Sequence, residues 1–160
     1  MSPSTEKQAP IRILFVCHGN ICRSAIAEYL MKDMIGKRGL RDRFYVESAA
    51  TSTEELGCPV YPPARRVLNA HGIDCRGHAA RQIVRGDYSR FDLLIGMDER
   101  NIWNMKRAFG GDPEGKIHLL SEYAHFSGEV EDPWYTGRFE KVYDQIQDGL
   151  EGILAAFDHN

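Results

Sequence analysis

The eight residues from Cys17 to Ser24 constrain the fold of this chain more than any other segment. They read Cys-His-Gly-Asn-Ile-Cys-Arg-Ser and lie between an apolar stretch, Ile11 to Val16, and a stretch with helical spacing of apolar residues. A strand that enters a helix through so short a loop must curl, so that successive main-chain N–H groups point inward at the helix N-terminus. The segment therefore predicts a phosphate-binding loop directly after the first strand.

Two side chains add chemistry to this predicted anion site. Arg23 provides a planar fork of N–H donors, which matches two oxygens of a phosphate. Cys17 lies at the floor of the same electropositive loop, and such surroundings favour the thiolate at neutral pH. A nucleophile inside an oxyanion site indicates covalent transfer of a phosphoryl group to sulfur. A buried structural cysteine is the alternative for Cys17 alone, but it leaves the glycine, asparagine, arginine and serine of the same turn unexplained.

Strand-like and helical patterns alternate along the rest of the chain. Apolar runs predict strands, and apolar residues at three- and four-residue spacing predict helices. Such alternation indicates a single α/β domain, with a four-stranded parallel sheet, helices on both faces and right-handed crossovers. Ligands of such sheets bind beyond the carboxyl ends of the strands, where Cys17 falls. The predicted strands are 11–17, 44–49, 92–97 and 117–120, and the predicted helices are 24–37, 62–70, one that begins at Asp98, and 137–157.

Length and composition favour one ordinary globular domain and argue against a nucleic-acid-binding or membrane protein. A chain of 160 residues forms one core, and a formal net charge of −3 provides no basic surface for nucleic acid. No apolar run reaches membrane-spanning length, and the N-terminus has no signal-peptide core. The four cysteines lack zinc-ligand spacing. We therefore expect a cytoplasmic protein without metal or other cofactor, in which 1–10 form a flexible segment and 11–160 form the domain.

Short blocks along the chain resemble the low-molecular-weight protein tyrosine phosphatase family. The first block is Val16 to Ser24, followed by Ala27-Glu28, and the others occur in the family's order as far as about residue 157. The resemblance implies hydrolysis of phosphotyrosine, and of small aryl phosphates, through a cysteinyl-phosphate intermediate. The later blocks are 47–52, Gly72-Ile73, His78, 80–82, 97–101 and 132–135.

The resemblance also assigns catalytic roles to particular residues. It implies that Cys17 attacks phosphorus, that Arg23 and the loop amides hold the phosphate oxygens, and that Asp132 protonates the leaving group. A surface Asp-Pro turn is the alternative for Asp132, and Asp98 is then the next acid to consider. The implied partner is a tyrosine-phosphorylated protein, with phosphate or another oxyanion in the active site.

Further residues are expected to shape or brace the loop. Asn20 is expected to take a left-handed conformation, and the resemblance implies that its amide ties the loop to Ser48 and His78. An exposed loop histidine is the alternative for His78. Ser24 is expected to hydrogen-bond the Cys17 thiolate, to cap the following helix, or both. The loop residues expected to frame the phosphate are His18, Gly19, Asn20, Ile21, Cys22 and Ser24.

The predicted substrate pocket combines aromatic walls with residues that depart from the family pattern. Trp134 and Tyr135 follow Asp132 and are expected to flank a slot for a flat phenyl phosphate, although Trp134 alone is also compatible with core packing. His18 replaces the usual aliphatic residue, and Glu54 stands where many relatives have an aromatic wall. We therefore expect an altered substrate preference, in which Glu54 disfavours acidic peptides.

A second thiol in the loop gives a redox expectation. Peroxide converts a reactive thiolate such as Cys17 to a sulfenic acid, and a neighbouring thiol such as Cys22 then forms a disulfide with it. The resemblance favours this role for Cys22 over that of a small buried thiol retained for its volume. Cys58 and Cys75 are expected to be structural or incidental.

Three other functions remain open from the sequence. An arsenate reductase of the same fold relays oxidation through two further cysteines, but Cys58 and Cys75 are 17 residues apart, with sequence typical of ordered structure between them. A protein arginine phosphatase tends to have threonine where Ile21 stands. A non-catalytic phosphopeptide-binding module is expected to lack Cys17 or Asp132, and both are present.

Overall fold

A computed structural model of the protein describes residues 9–158. Strands and helices alternate along it, as the sequence pattern predicts. Most of the predicted flexible segment 1–10 lies outside the described residues. In chain order the elements are β1 Ile11–Cys17, α1 Arg23–Lys37, β2 Phe44–Ala50, α2 Pro62–Ala70, α3 Asp87–Arg90, β3 Leu93–Gly96, α4 Glu99–Phe109, β4 Ile117–Leu119, a 3₁₀ turn Leu120–Tyr123, α5 Pro133–Thr136 and α6 Phe139–Phe157.

The strands form one parallel sheet in the order β2, β1, β3, β4, which confirms the predicted four-stranded parallel sheet. Strand β1 is central, and its Ile13 pairs with Val46 of β2 on one side and with Leu93 of β3 on the other. Residues 13–17 are all buried, and this explains why β1 is a continuous apolar run. The loops that follow the carboxyl ends of β1 and β2 lie side by side, because the two strands pair in register up to Cys17.

Helices cover both faces of the sheet, as predicted. Successive side chains of a strand point to opposite faces, so Ile13 and Phe15 pack in the cluster formed with α1, α2 and α6. Leu14 and Val16 pack on the other face, in the cluster that contains α4. The carboxyl end of β1, which carries Cys17, is therefore held in place by two hydrophobic clusters, one on each face of the sheet.

The structure corrects several predicted boundaries and adds three short elements. The last helix begins at Phe139 and not at Gly137, because Gly137 has a φ of +74° and closes α5. Leu120 opens the 3₁₀ turn instead of ending β4. Elements α3, α5 and the turn have four residues each, which is too short for a periodic pattern. Asp98 does begin a helix, since its carboxylate caps α4.

Two findings on membrane and metal binding concern residues 9–158 only. No helix in that range is long and apolar enough to cross a membrane. The same residues contain no group of three or more histidine, cysteine, aspartate or glutamate side chains placed to hold a metal ion.

Candidate active site

The loop between β1 and α1 turns main-chain N–H groups inward. On its outer side, the carbonyl oxygens of Cys17, His18 and Ile21 accept hydrogen bonds of 2.9, 3.1 and 2.9 Å from main-chain N–H groups of the surrounding framework. In a trans peptide the N–H of the next residue points the opposite way from the carbonyl, so the N–H groups that follow these carbonyls face the inside. Together with the N-terminus of α1, they form the geometry that binds anions.

Asn20 takes the left-handed conformation predicted for it, with a φ of +60°, and is fully buried. Its carbonyl oxygen lies 2.7 Å from His78 Nε2, and its side-chain Oδ1 accepts a hydrogen bond of 3.2 Å from the Arg81 N–H. Its Nδ2 donates to Ser24 Oγ at 2.9 Å and to Ser48 Oγ at 2.8 Å. The predicted tie to Ser48 through the amide is present. The tie to the buried His78 runs through the main-chain carbonyl and not through the amide.

These contacts determine the direction of a hydrogen-bond chain that ends on Cys17. Since the amide oxygen of Asn20 is engaged with a main-chain N–H, its Nδ2 must donate to both serine hydroxyls. Ser48 then donates its own hydrogen to the carboxylate of Glu28, a buried residue of α1. Because Ser24 Oγ accepts from Asn20, its own hydrogen is free to donate to Cys17 Sγ, 3.0 Å away, when the sulfur is a thiolate. A hydroxyl donor at this distance stabilises a thiolate.

Arg23 opens α1, and only 4% of its side chain is exposed. Its Nη1 donates to Asp98 Oδ2 at 2.9 Å and to the Val130 carbonyl at 3.0 Å. These bonds use both hydrogens of Nη1, and no hydrogen bond within residues 9–158 engages Nε or Nη2. Burial alone would lower the pKa of Arg23, but the negative charges near it, Cys17 first and the aspartates next, raise that pKa above its ordinary value. Arg23 thus stays charged and offers a two-donor edge to an oxyanion.

Asp132 approaches Arg23 from the segment that precedes α5. Its Oδ2 lies 3.6 Å from Arg23 Nη2, and its Oδ1 accepts a hydrogen bond of 3.0 Å from the Trp134 N–H. Asp132 is therefore the N-cap of α5. The segment is also tied to the sheet, because the Val130 N–H donates to the Met97 carbonyl at 2.9 Å. Asp132 thus takes part in the Asp-Pro turn that was the alternative from the sequence, and its carboxylate still faces the phosphate-binding loop.

A cavity of about 340 Å³ opens above Cys17, and its lining includes every residue predicted to be catalytic or to form the pocket. Of the bracing residues, Asn20, Ser24, Ser48 and His78 are buried behind the loop instead. The lining also includes Glu55 and Arg100, which sequence reasoning missed. A volume of this size is within the range of small-molecule sites, and the predicted site residues therefore belong to one concave site.

The walls of the cavity are aromatic on one side and charged on the other. Trp134 and Tyr135 are 54% and 83% exposed, so core packing does not account for Trp134. Its ring centroid lies 4.8 Å from that of Tyr61, with the two ring planes tilted by 45°. On the other side, His18 Nε2 lies 2.9 Å from Glu54 Oε2. His18 and Glu54, the two pocket residues that depart from the family pattern, thus form one polar wall of the cavity.

Several residues that hold the site were missed from the sequence. Asp98 was predicted as a helix cap and as the acid to consider after Asp132, but its contact with Arg23 was missed: its Oδ1 caps α4 while its Oδ2 holds Arg23. Glu28 lies four residues after Ser24 on the buried face of α1, and a charged residue on an otherwise apolar helix face is the signal that could have revealed it. Ser24 itself is the second residue of α1, whose N-cap is Cys22, so its predicted capping role is wrong.

The four cysteines are free thiols. Burial foremost, and then the charge on Cys17, raises the pKa of the Cys22 thiol. Burial likewise raises the pKa of Cys75, and a hydrogen bond with Glu55 raises that of Cys58. These three thiols therefore stay protonated at neutral pH, which is unfavourable for rapid thiol exchange.

Peroxide is expected to inactivate the protein reversibly through a disulfide between Cys17 and Cys22. Because the raised pKa keeps Cys22 protonated, the disulfide should form faster as the pH rises and the thiolate fraction grows. Mass spectrometry of peptides after mild oxidation at several pH values measures this rate. Cys22→Ser should inactivate less reversibly, whereas a dominant Cys58–Cys75 disulfide that forms and breaks with turnover would contradict the assignment.

A cysteine at the floor of an anion-binding loop, beside a buried arginine and an aspartic acid, is the arrangement of the cysteine-dependent phosphatases. Within that class, the family model described as low molecular weight phosphotyrosine protein phosphatase matches residues 12–160. The chain therefore belongs to the low molecular weight phosphotyrosine protein phosphatase family, and the resemblance drawn from its sequence blocks is confirmed. Members of this family are hydrolases.

Individual relatives cover almost the whole chain. The low molecular weight protein-tyrosine-phosphatase YfkJ of Bacillus subtilis is 37% identical over 148 residues, which are 91% of this chain and 95% of that protein. The human low molecular weight phosphotyrosine protein phosphatase is 38% identical over 144 residues, 87% of this chain and 90% of the relative.

Solved structures agree with the fold at similar coverage. The crystal structure of YfkJ superposes with a TM-score of 0.91 at 35% identity, over 96% of this chain and 98% of that one. The structure of DARP, a Drosophila arginine phosphatase, superposes with a TM-score of 0.84 at 31% identity, over 94% of this chain and 99% of that one. The fold is therefore common to phosphatases named for two different phosphorylated residues.

Proposed function

We propose that this protein hydrolyses phosphotyrosine in proteins, and related aryl phosphates, with Cys17 as nucleophile, Arg23 as oxyanion ligand and Asp132 as general acid. Family membership supports the activity. The observation that carries the residue roles is that all three side chains line one cavity, while Ser24 donates a hydrogen bond to the sulfur from behind. The proposed substrate is a tyrosine-phosphorylated protein in the cytoplasm.

In the first step, Cys17 Sγ attacks phosphorus and the bond from phosphorus to the phenolic oxygen breaks. The electron pair of that bond goes to the leaving oxygen, which takes a proton from Asp132. The Nε–Nη2 edge of Arg23 and the inward N–H groups of the loop hold the three non-bridging oxygens of the transferring group. These donors are fixed before the reaction, so they stabilise charge in the transition state without reorganising.

In the second step, water attacks the phosphorus of the cysteinyl phosphate and the S–P bond breaks. Asp132, now a carboxylate, takes a proton from that water and returns to its acid form, while inorganic phosphate leaves. The electron pair of the S–P bond goes to Cys17 Sγ, where the hydroxyl of Ser24 stabilises the thiolate. Both steps use only side chains and loop amides, so the proposed activity is independent of added metal.

The aromatic side of the cavity supports the preference for tyrosine. Trp134 and Tyr135 flank the entrance above Cys17, and a flat ring between them brings its phosphate down to the sulfur. A serine phosphate has a side chain too short to reach the same depth. The polar wall of His18 and Glu54 supports the expectation that acidic residues beside the phosphotyrosine are disfavoured, since Glu54 carries like charge.

Kinetics on matched phosphotyrosine, phosphoserine and phosphoarginine peptides are expected to favour phosphotyrosine by roughly 10-fold or more in kcat/KM. A factor of ten corresponds to about 1.4 kcal/mol of transition-state stabilisation, which loss of the aromatic contacts with Trp134 and Tyr135 accounts for. The assay is made with a chelator present, and p-nitrophenyl phosphate serves as the reference substrate. A clear preference for phosphoarginine would instead assign the activity of the arginine phosphatases and would show that Ile21 does not exclude it.

A further inference from the structure

Glu131 precedes Asp132 directly and points to the other side of the segment. Asp132 has extended backbone angles, with φ −86° and ψ 108°, and adjacent side chains of an extended chain face opposite ways. Asp132 accordingly lines the cavity, whereas Glu131 is not part of the lining. The mechanism described above uses Asp132 and leaves Glu131 without a role.

The Glu131 carboxylate collects donors from the following turn and from α6. It accepts hydrogen bonds of 2.7 Å from Thr136 Oγ1, 2.8 Å from Arg138 Nε and 3.0 Å from Arg138 Nη2. Lys141 Nζ lies 3.0 Å away. The Arg138 contacts are a two-point pair, one nitrogen to each carboxylate oxygen, which fixes orientation as well as distance. We call these four residues the Glu131 clamp.

The clamp joins the two ends of the short segment, 131–138, that carries Asp132. Residues 131 and 138 are joined through side chains, and α5 with its Gly137 cap lies between them. On the main chain, the Glu131 N–H donates to Gln145 Oε1 of α6 at 3.2 Å. Asp132 itself is attached on the cavity side only by its 3.6 Å approach to Arg23 and by capping α5. The clamp therefore fixes this segment from the side of α6, while the hydrogen bonds of Val130 with Met97 and Arg23 fix it from the side of the sheet.

The charge on Glu131 persists under the conditions in which Asp132 works. Hydrogen bonds from Thr136, then from Arg138 and Lys141, lower the pKa of Glu131 to about 2. Glu131 is thus a carboxylate at any pH well above about 2. Its side chain is 16% exposed, while those of Arg138 and Lys141 are 58% and 53% exposed, so the partners can be changed without opening a core.

We propose that Glu131, through Arg138, is a positioning residue that holds Asp132 where it can protonate the leaving oxygen. The proposal rests on the proposed function, because it requires Asp132 to be the general acid. Placement matters steeply in such a role, since an error of about 1 Å can reduce a rate about 10²-fold. Among the described residues, no hydrogen bond or ion pair joins the clamp to the phosphate-binding loop, so its effect should be confined to the two proton transfers of Asp132.

Glu131→Gln and Arg138→Gln test the proposal against a matched control. Glu151→Gln removes a comparable Glu–Arg pair on α6, in which Arg38 Nη2 lies 2.6 Å from Glu151 Oε1. For phenyl phosphate, whose leaving group needs a proton, both clamp variants should lose roughly 10-fold or more in kcat/KM, which reports the first step alone. For aryl phosphates with weakly basic leaving groups the loss should be less than about 2-fold, and Glu151→Gln should behave as the parent with all substrates.

Three measurements separate positioning from general destabilisation. Vanadate affinity should stay at the parent value in both clamp variants, because Arg23 and the loop are untouched. The dependence of kcat/KM on leaving-group pKa should become steeper. In the Asp132→Asn background, adding Glu131→Gln should cause no further loss, since the clamp acts only through the acid.

Opposite results would overturn the proposal. A parent-like leaving-group slope in Glu131→Gln or Arg138→Gln, or a further loss in the Asp132→Asn background, shows that the clamp does not act through Asp132. If Glu131→Gln fails to fold, the exposed Arg138→Gln decides the question alone. A parent enzyme without phosphatase activity, or an Asp132→Asn variant with the parent slope, contradicts the proposed function itself and is recognised before any clamp variant is measured.

Discussion

Replacing Cys17 with serine is expected to abolish turnover of aryl phosphates, with a loss on the order of 10⁴–10⁶-fold. A serine hydroxyl is a far weaker nucleophile than a thiolate, and the site offers no group placed as a base for it, because Ser24 donates to this position. Arg23 and the loop N–H groups are unchanged in the variant. Phosphate or vanadate should therefore still bind, which titration calorimetry beside p-nitrophenyl phosphate kinetics measures directly.

A second cysteine provides the control for this experiment. Cys58 lies close to the loop, in the small cluster with Ile21 and Cys22, but it does not line the cavity. Cys58→Ser should retain near-parent kcat, so a specific effect of Cys17→Ser is separated from any general effect of losing a thiol. Substantial turnover by Cys17→Ser would rule out the covalent mechanism.

Asp132→Asn is expected to reduce kcat/KM on the order of 10²–10⁴-fold for substrates whose leaving group needs a proton. The change keeps shape and polarity, and the amide oxygen still accepts the Trp134 N–H that starts α5. The loss should shrink for weakly basic phenolates, which depart unaided. Rates for a series of aryl phosphates should thus depend far more steeply on leaving-group pKa in the variant than in the parent.

The control for this series is an exposed carboxylate away from the cavity. Asp74 is paired with Arg76 on the surface, and Asp74→Asn should give the parent slope. If Asp132→Asn also gives the parent slope, Asp132 is only the cap of α5. Asp98, which lies 2.9 Å from Arg23, is then the acid to test next.

The parts of the site that the sequence predicted are those with local signals. Cys17 and Arg23 have five residues between them and lie where a strand passes into a helix, so short-range geometry brings them together. Asn20 is one of the few residue types that tolerate a positive φ, and it has one. The sheet followed from apolar runs in β1 and β3, which are buried on both faces.

The parts that were missed depend on pairs far apart in the chain. Arg23 reaches Asp98 and Val130, which are 75 and 107 positions away, and no periodicity connects such residues. Arg81, whose N–H orients the Asn20 amide, is 61 positions away. Glu131 and Arg138 are near in sequence, but they meet only because the short helix α5 turns the chain back between them.

The direction of β1 decides where a fusion partner or a surface anchor can be joined without covering the cavity. Its seven residues span about 20 Å at roughly 3.3 Å each, so Ile11 lies at the side of the sheet where the strands begin and Cys17 at the side where they end. A fusion partner or surface anchor joined ahead of Ile11 is therefore attached on the side of the sheet opposite the cavity. Tethered from that side, the protein leaves its cavity open to solution.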